Sequence, residues 1–405
     1  MLRPRAQALR YLRRSGWILA LSLLLGGVQA RQARDVPARG RAADPAIPVT
    51  EFARMVNQFS EEGGYFRSDN LVSNETAYLF VMDTLRTLEV SGGAYLGVGP
   101  EQNFSYIARI RPQIAFIVDI RRQAIIQHLM FKALFHLADT RTRFLSLLFS
   151  KPATGPGAPG AGASAEDLVD YFSSAATDGE AFSRNLARIQ SAIVRDFQIH
   201  LDARDKAGLE YVYRAFRDEN LDLRYQSGGF TVRYGGYGRR RIGPWGYFPS
   251  FRDLILARDL KGKLGNFLAS RGDYEFVRRL QEGNRIIPVV GDFAGGHALS
   301  AVAAYLKTQR LTVSAFYTSN VEQYLFQNGV FRDFAENVAR LPLSDRSVFI
   351  RAYPNQRLAH PAQVGNHRLT TLMQKIRVFL DDYRNGLYTD YWNLVSTHYI
   401  APTGP

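Results

Sequence analysis

Cysteine is absent from all 405 residues. That excludes disulfides, thiolate zinc sites, a cysteine nucleophile and a lipoprotein anchor. Stability therefore has to come from the core, and a chain of this length with 46% hydrophobic residues can build one. The apolar run Trp17–Leu25 is too short for a comfortable membrane span. No G-x-S-x-G elbow and no H-E-x-x-H zinc helix occurs, so the common serine-hydrolase and zinc-protease signatures are missing. His128 and His136, eight residues apart, have no acid at metal spacing, and they read as packing or rim residues; no metal site is expected.

What the sequence does hold centres on residues 92–123. Ala94 to Val98 is a short apolar run, broken by Gly97, Gly99 and Pro100 in the manner of a strand-to-helix turn. A helix is expected from Asn103 to Ile110, closed by Pro112, and a second buried strand from Ile114 to Val118 ending on Asp119. Glycine lets a backbone approach a nucleotide where a β-carbon would clash. A helix N-terminus behind the turn offers free N–H groups. Asp119 follows Gly99 by twenty residues, the separation of an acid that accepts from ribose hydroxyls. Gln102 stands where G-x-G-x-x-G has its third glycine, which disfavours a dinucleotide, and no Tyr-x-x-x-Lys pair supports a nicotinamide-dependent oxidoreductase. A nucleoside cofactor without pyrophosphate needs fewer close backbone contacts. A βαβ unit with no ligand is the plainer alternative.

The chain begins with a basic segment, Arg3 to Arg14, followed by the apolar run and the small-x-small site Val28-Gln29-Ala30. This reads as an export signal cleaved after Ala30, giving a periplasmic or secreted protein; an uncleaved anchor is the alternative. Arg13-Arg14 loosely resembles a twin-arginine signal. Five arginines and no acid fall in the first 30 residues, so the formal charge of +14 drops to +9 downstream. That permits contact with an anionic surface, but no nucleic-acid motif is present. The expected organisation is a signal at 1–30, a disordered segment at 31–47 and a first half-domain at 48–139. A mostly helical insertion at 140–283 and a second half-domain at 284–405 follow. The insertion carries a flexible Gly/Pro/Ala linker at 151–165 and a Gly/Arg/aromatic loop at 226–251, read as a surface hairpin in preference to a lid.

Helices are expected at 51–60, from about Glu75, at 120–149, 166–222, 252–283 and 298–306, and around 367–386. Ser73 or Asn74 would cap the one at Glu75; the other reading turns Asn70, Asn74 and Glu75 toward the glycine turn. Further strands are expected at Ile286–Val290, Leu311–Phe316 and Ser347–Ile350. Strands alternating with helices imply an α/β fold, a doubly wound, mainly parallel, Rossmann-like sheet whose ligands sit outside the carboxyl ends of the strands.

Those strand ends carry the resemblance to a known family. Tyr95-Leu96-Gly97-Val98-Gly99, Val118-Asp119, Gly291-Asp292-Phe293 and Tyr317-Thr318-Ser319-Asn320 resemble the motifs of S-adenosylmethionine-dependent methyltransferases with the Rossmann-like fold. More closely, GVGPEQNF, PVVGDFAG and FYTSNVEQYLF are similar to a set of bacterial proteins of this fold with no established activity. The likeness covers roughly residues 50–355. It implies S-adenosylmethionine as cofactor, held by Gly97, Gly99, Glu101, Asn103, Asp119, Asp292 and Phe293, with Tyr317 and Asn320 near an acceptor that the sequence does not identify. Three features depart from the family: Leu96 replaces the acid before the first glycine, the segment between strands two and three is long, and the antiparallel strand hairpin that ends the family's sheet is not evident after Ile350. The function expected is an exported methyltransferase-like protein; the alternative is a non-catalytic exported binding or scaffold protein on the same fold.

Overall fold

The computed structural model describes residues 46–225, 248–355 and 358–403. The expected signal, nearly all of the segment 31–47 and most of the loop 226–251 lie outside the described residues.

The elements run α1 (Val49–Gln58), α2 (Met82–Thr87), β1 (Ala94–Gly97), α3 (Gln102–Ile110) and β2 (Ile114–Asp119). Seven helices follow among the described residues: α4 (Arg122–Leu137), α5 (Arg141–Phe149), α6 (Ala165–Ser174), α7 (Gly179–Ser191), α8 (Ala203–Glu219), α9 (Phe251–Ile255) and α10 (Arg271–Glu282). The chain then continues as β3 (Ile286–Val290), α11 (Ala298–Thr308), β4 (Val313–Ser319), α12 (Val321–Gln327), α13 (Phe331–Arg340) and β5 (Leu343–Pro354). It closes with β6 (Leu369–Lys375), α14 (Ile376–Arg384) and α15 (Tyr391–Ser396).

The protein is mixed α/β. One six-stranded sheet has the order β3-β2-β1-β4-β5-β6, parallel through β5 and antiparallel at β6. Every residue of β1, β2 and β3 is buried, as strands covered on both faces must be. The two faces differ in chemistry because side chains alternate along a strand. Phe316 packs against Phe293, Phe334 and Phe349, and Phe349 against Phe379 of α14. Its neighbour Tyr317 turns the other way, with its ring 5.1 Å from that of Tyr106 on α3.

The helix expected around 367–386 begins late. Its first third is β6, paired from Val348↔Lys375 to Pro354↔Leu369. Leu369, Leu372, Met373 and Ile376 fit helical spacing, but the open side of β5 supplies backbone partners and the β-branched pair Thr370-Thr371 favours extended chain. The helix expected over 120–149 is two, because Thr140 accepts from the Arg143 amide and caps a new start. Within 252–283, helix covers only 251–255 and 271–282. The segment 151–164 has no regular structure yet is tied down: Thr142 donates to Pro159 O at 3.0 Å and Arg141 to Ala163 O at 2.5 Å.

Both sheet edges carry cover. At β3, Glu61 N donates to Val290 O and Ser60 Oγ accepts from Val290 N, while Gly64 N donates to Ile120 O. At β6, Met373 and Ile400 exchange both backbone bonds.

Beside the β5–β6 pair, Arg351 is fully buried. Its Nε donates to Glu322 Oε1 at 2.8 Å and its Nη1 to Gln374 Oε1 at 2.7 Å, and Thr318 donates to the other Glu322 oxygen. Removing one member of a buried pair strands the other charge. Arg351→Met is therefore expected to cost about 3–5 kcal/mol in urea denaturation. The double variant Arg351→Met/Glu322→Gln should recover much of that loss; equal loss in both variants would refute the pairing account.

Candidate functional site

The site is built behind β1 before it is built in front of it. A β-carbon at Gly97 would lie 2.0 Å from Asn103 Oδ1 and under 3 Å from Tyr95, so only glycine fits. Asn103, fully buried on α3, donates through Nδ2 to Val98 O, Gly99 O and Pro100 O at 3.0, 3.2 and 2.7 Å, and accepts from Tyr95 at 2.8 Å. Gly99 takes φ +81°, which non-glycine residues resist. His128 Nε2 lies 2.8 Å from Gly99 O, so that nitrogen carries the proton. Burial lowers His128 to about 4 and keeps it neutral. One amide and one imidazole thus fix the turn from within.

In front of the turn is a cavity of about 410 Å³ lined by residues that follow β1, β2, β3 and β4. That is the crevice where the sheet order reverses, between β1 and β4. Of the residues singled out in the sequence, Gly99, Asp119, Asp292, Phe293, Tyr317 and Asn320 line it. Gly97, Glu101 and Asn103 are not on its wall; they sit behind it, where Asn103 and Gly97 shape the turn.

Asp119 is already engaged. Arg121 donates its backbone N and Nε to Oδ1, both at 3.0 Å, and Nη2 to Oδ2 at 2.8 Å. Arg121 also reaches Ser68 O and Asp69 O, stitching the loop before the cavity to β2. Asp292 Oδ1 accepts from Ala294 N and its own N–H donates to Glu61. Phe293 is mostly committed to the core, its ring 4.9 Å from Phe316. Asn320 starts α12 without a side-chain cap bond; its Oδ1 accepts a long bond from Ser319 Oγ at 3.4 Å, and the residue lines the cavity.

The helix expected from Glu75 begins only at Met82. Ser73 Oγ does accept from Glu75 N at 3.1 Å, but turns follow, and Asn70, Asn74 and Glu75 line the cavity. Glu75 Oε1 accepts from Tyr317 and, at 2.6 Å, from Ser319, while Tyr317 in turn accepts from Gln102. Glu75 Oε2 is buried with no hydrogen-bond partner among the described residues. Burial raises Glu75 to about 7, and burial followed by the Glu75 charge holds the Tyr317 phenol well above its ordinary range. Sequence reasoning read Gln102 only as the absent third glycine, missed Arg121 altogether and named Ser319 only within the motif after β4. The spacing Asp119-x-Arg121 was the available signal for the second; nothing local marks a Glu75–Tyr317 contact across 242 residues. At the mouth, the Phe66 and Tyr324 rings meet edge to face at 5.2 Å. Among the described residues no group of three or more His, Asp or Glu side chains could hold a metal ion.

A family described as a domain of unknown function, DUF7790, matches residues 70–154 and 248–393. No curated protein matches the chain.

The buried acid Glu101 yields a pH test. Burial raises its carboxyl from the ordinary 4.5 to about 8; Oε1 accepts weakly from Ser73 N and Oε2 has no partner among the described residues. Between those two values the folded chain binds more protons than the unfolded, so stability falls as pH rises from about 4.5 through about 8. Glu101→Gln should leave stability at pH 5 nearly unchanged and raise it at pH 8.5 by roughly 1–3 kcal/mol. Equal urea midpoints for the two proteins at both pH values would contradict this.

Proposed function

The chain belongs to the DUF7790 family, and we propose an S-adenosylmethionine-binding, methyltransferase-like function on a Rossmann-like fold from its site geometry, and export from its N-terminal sequence. The observation that carries it is one cavity bounded by a glycine turn after β1, an acid ending β2, an acid after β3 and an amide after β4. Its volume falls within the roughly 300–1,000 Å³ common to small-molecule sites. The antiparallel β6 beside β5 adds to the likeness that the sequence alone left incomplete. When bound, S-adenosylmethionine supplies an electrophilic methyl group.

The chain's own residues would bind and orient. Gly99 lets backbone approach the ligand. Asp119 has about four acceptor positions, three filled by Arg121, and offers the remaining one to a ribose hydroxyl. Asp292 stands where an adenine amino group would donate. Tyr317 is committed to Glu75 and Gln102, so it positions the wall, while Asn320, whose Oδ1 accepts only a long bond from Ser319, has its amide N–H groups to orient an acceptor. Alignment of the reacting atoms contributes most of the rate in such a transfer, and no strong base is needed.

A second reading, a non-catalytic exported binding protein, draws on the same Arg121 clamp, which takes up most of the ribose-binding capacity of Asp119. Calorimetric titration with S-adenosylmethionine, S-adenosylhomocysteine and NAD separates the two. The first two ligands should bind saturably and NAD should not. Asp119→Asn should weaken binding roughly tenfold or more without unfolding the protein. Absence of binding at millimolar ligand by folded protein would leave only the second reading.

A further inference from the structure

Glu75 is the cavity group whose environment the site so far does not explain. A carboxyl buried with one oxygen unpartnered is costly, and burying it costs more once it ionises. Its other oxygen is held from two directions by Tyr317 and Ser319, so the side chain cannot swing away to solvent. Both partners lie on β4, across the crevice from the glycine turn that follows β1.

We propose that the free oxygen of Glu75 recognises the positive charge of the cofactor sulfonium. The inference rests on the nucleoside reading above and extends it. Asp292 follows β3 and Asp119 ends β2, so base and ribose placed on those acids direct the 5′ substituent toward β1 and β4. β4 lies two strand spacings from β2, on the order of 10 Å, within reach of that substituent. Among the described residues the wall carries three acids, and of these Glu75 stands at this end. A cation meeting Glu75 Oε2 offsets the desolvation of the carboxylate, and the neutral thioether left after methyl transfer does not. The site thereby favours the loaded cofactor over the spent one.

The experiment compares calorimetric affinities of S-adenosylmethionine and S-adenosylhomocysteine for the native chain and for Glu75→Gln. Glutamine keeps an oxygen for Tyr317 and Ser319, and S-adenosylhomocysteine binding serves as the fold control. The native chain should prefer S-adenosylmethionine by roughly tenfold, the worth of one charge-assisted contact. In Glu75→Gln that preference should vanish while S-adenosylhomocysteine affinity stays within about twofold. A third ligand, an analogue with a protonated amine in place of the sulfonium, should behave as S-adenosylmethionine does. Equal native affinities, or a preference that survives the substitution, would overturn the proposal and leave the cofactor reading standing. Loss of both ligands in a variant with an unchanged unfolding midpoint would also overturn it, because Glu75 would then shape the site and not read its charge. If neither ligand binds the native chain, the cofactor reading fails first and this inference falls with it.

Discussion

The site depends on one buried amide. Asn103 holds three successive carbonyls of the β1–α3 turn with a single Nδ2, and its Oδ1 fills the space where a Gly97 side chain would be. Carbonyls pointed inward at Asn103 cannot point into the cavity, so the cavity meets the other side of the turn. An asparagine there costs little because its remaining acceptor is met by Tyr95. The same constraint explains why a residue at the start of α3 shapes the cavity without lining it.

The two faces of the sheet divide the labour. The face bearing Phe316 and Phe349 is a closed aromatic core with α13 and α14, and its buried charge, Arg351, lies over the Phe349 and Phe379 rings and is paired with Glu322. The opposite face is a tyrosine layer, where Tyr78, Tyr95, Tyr106 and Tyr317 are all buried and all hydrogen-bonded. Burial with satisfied hydroxyls makes that layer rigid and polar at once. It delivers a fixed phenol to Glu75 at the base of the cavity. Adjacent residues of β4 thus take part in a greasy core and a polar site, separated only by strand alternation.

How much of this was legible in the sequence follows from how each element is stabilised. β1, β2, β3 and β4 were readable because parallel strands buried on both faces are unbroken apolar runs, here punctuated by Gly97, Asp119, Gly291 and Asn320. β6 was not, because Leu369, Leu372, Met373 and Ile376 satisfy helical spacing and only the neighbouring edge of β5 decides otherwise. The strand-end residues Asp119, Asp292, Tyr317 and Asn320 were placed by topology, and the cavity gathers them. Asn103 was expected to hold a cofactor through the family resemblance; its side chain instead runs back under the glycine turn. Glu75 was the harder case. Ser73 beside it gives a sound local reason for a helix cap, and its actual partners are far along the chain.

Ser60 and Glu61 cover Val290 at one edge of the sheet, and Ile400 covers Met373 at the other. A partner chain that paired with Val290 or Met373 would first have to peel one of those segments away. At the β3 edge the peeled segment would not leave alone. Glu61 also accepts from Asp292 N, and the chain passes directly on to Tyr65 and Phe66 in the cavity wall. Cover of the β3 edge at Val290 and the shape of the cavity wall are therefore supplied by one short strap, and loosening it for either purpose would compromise both.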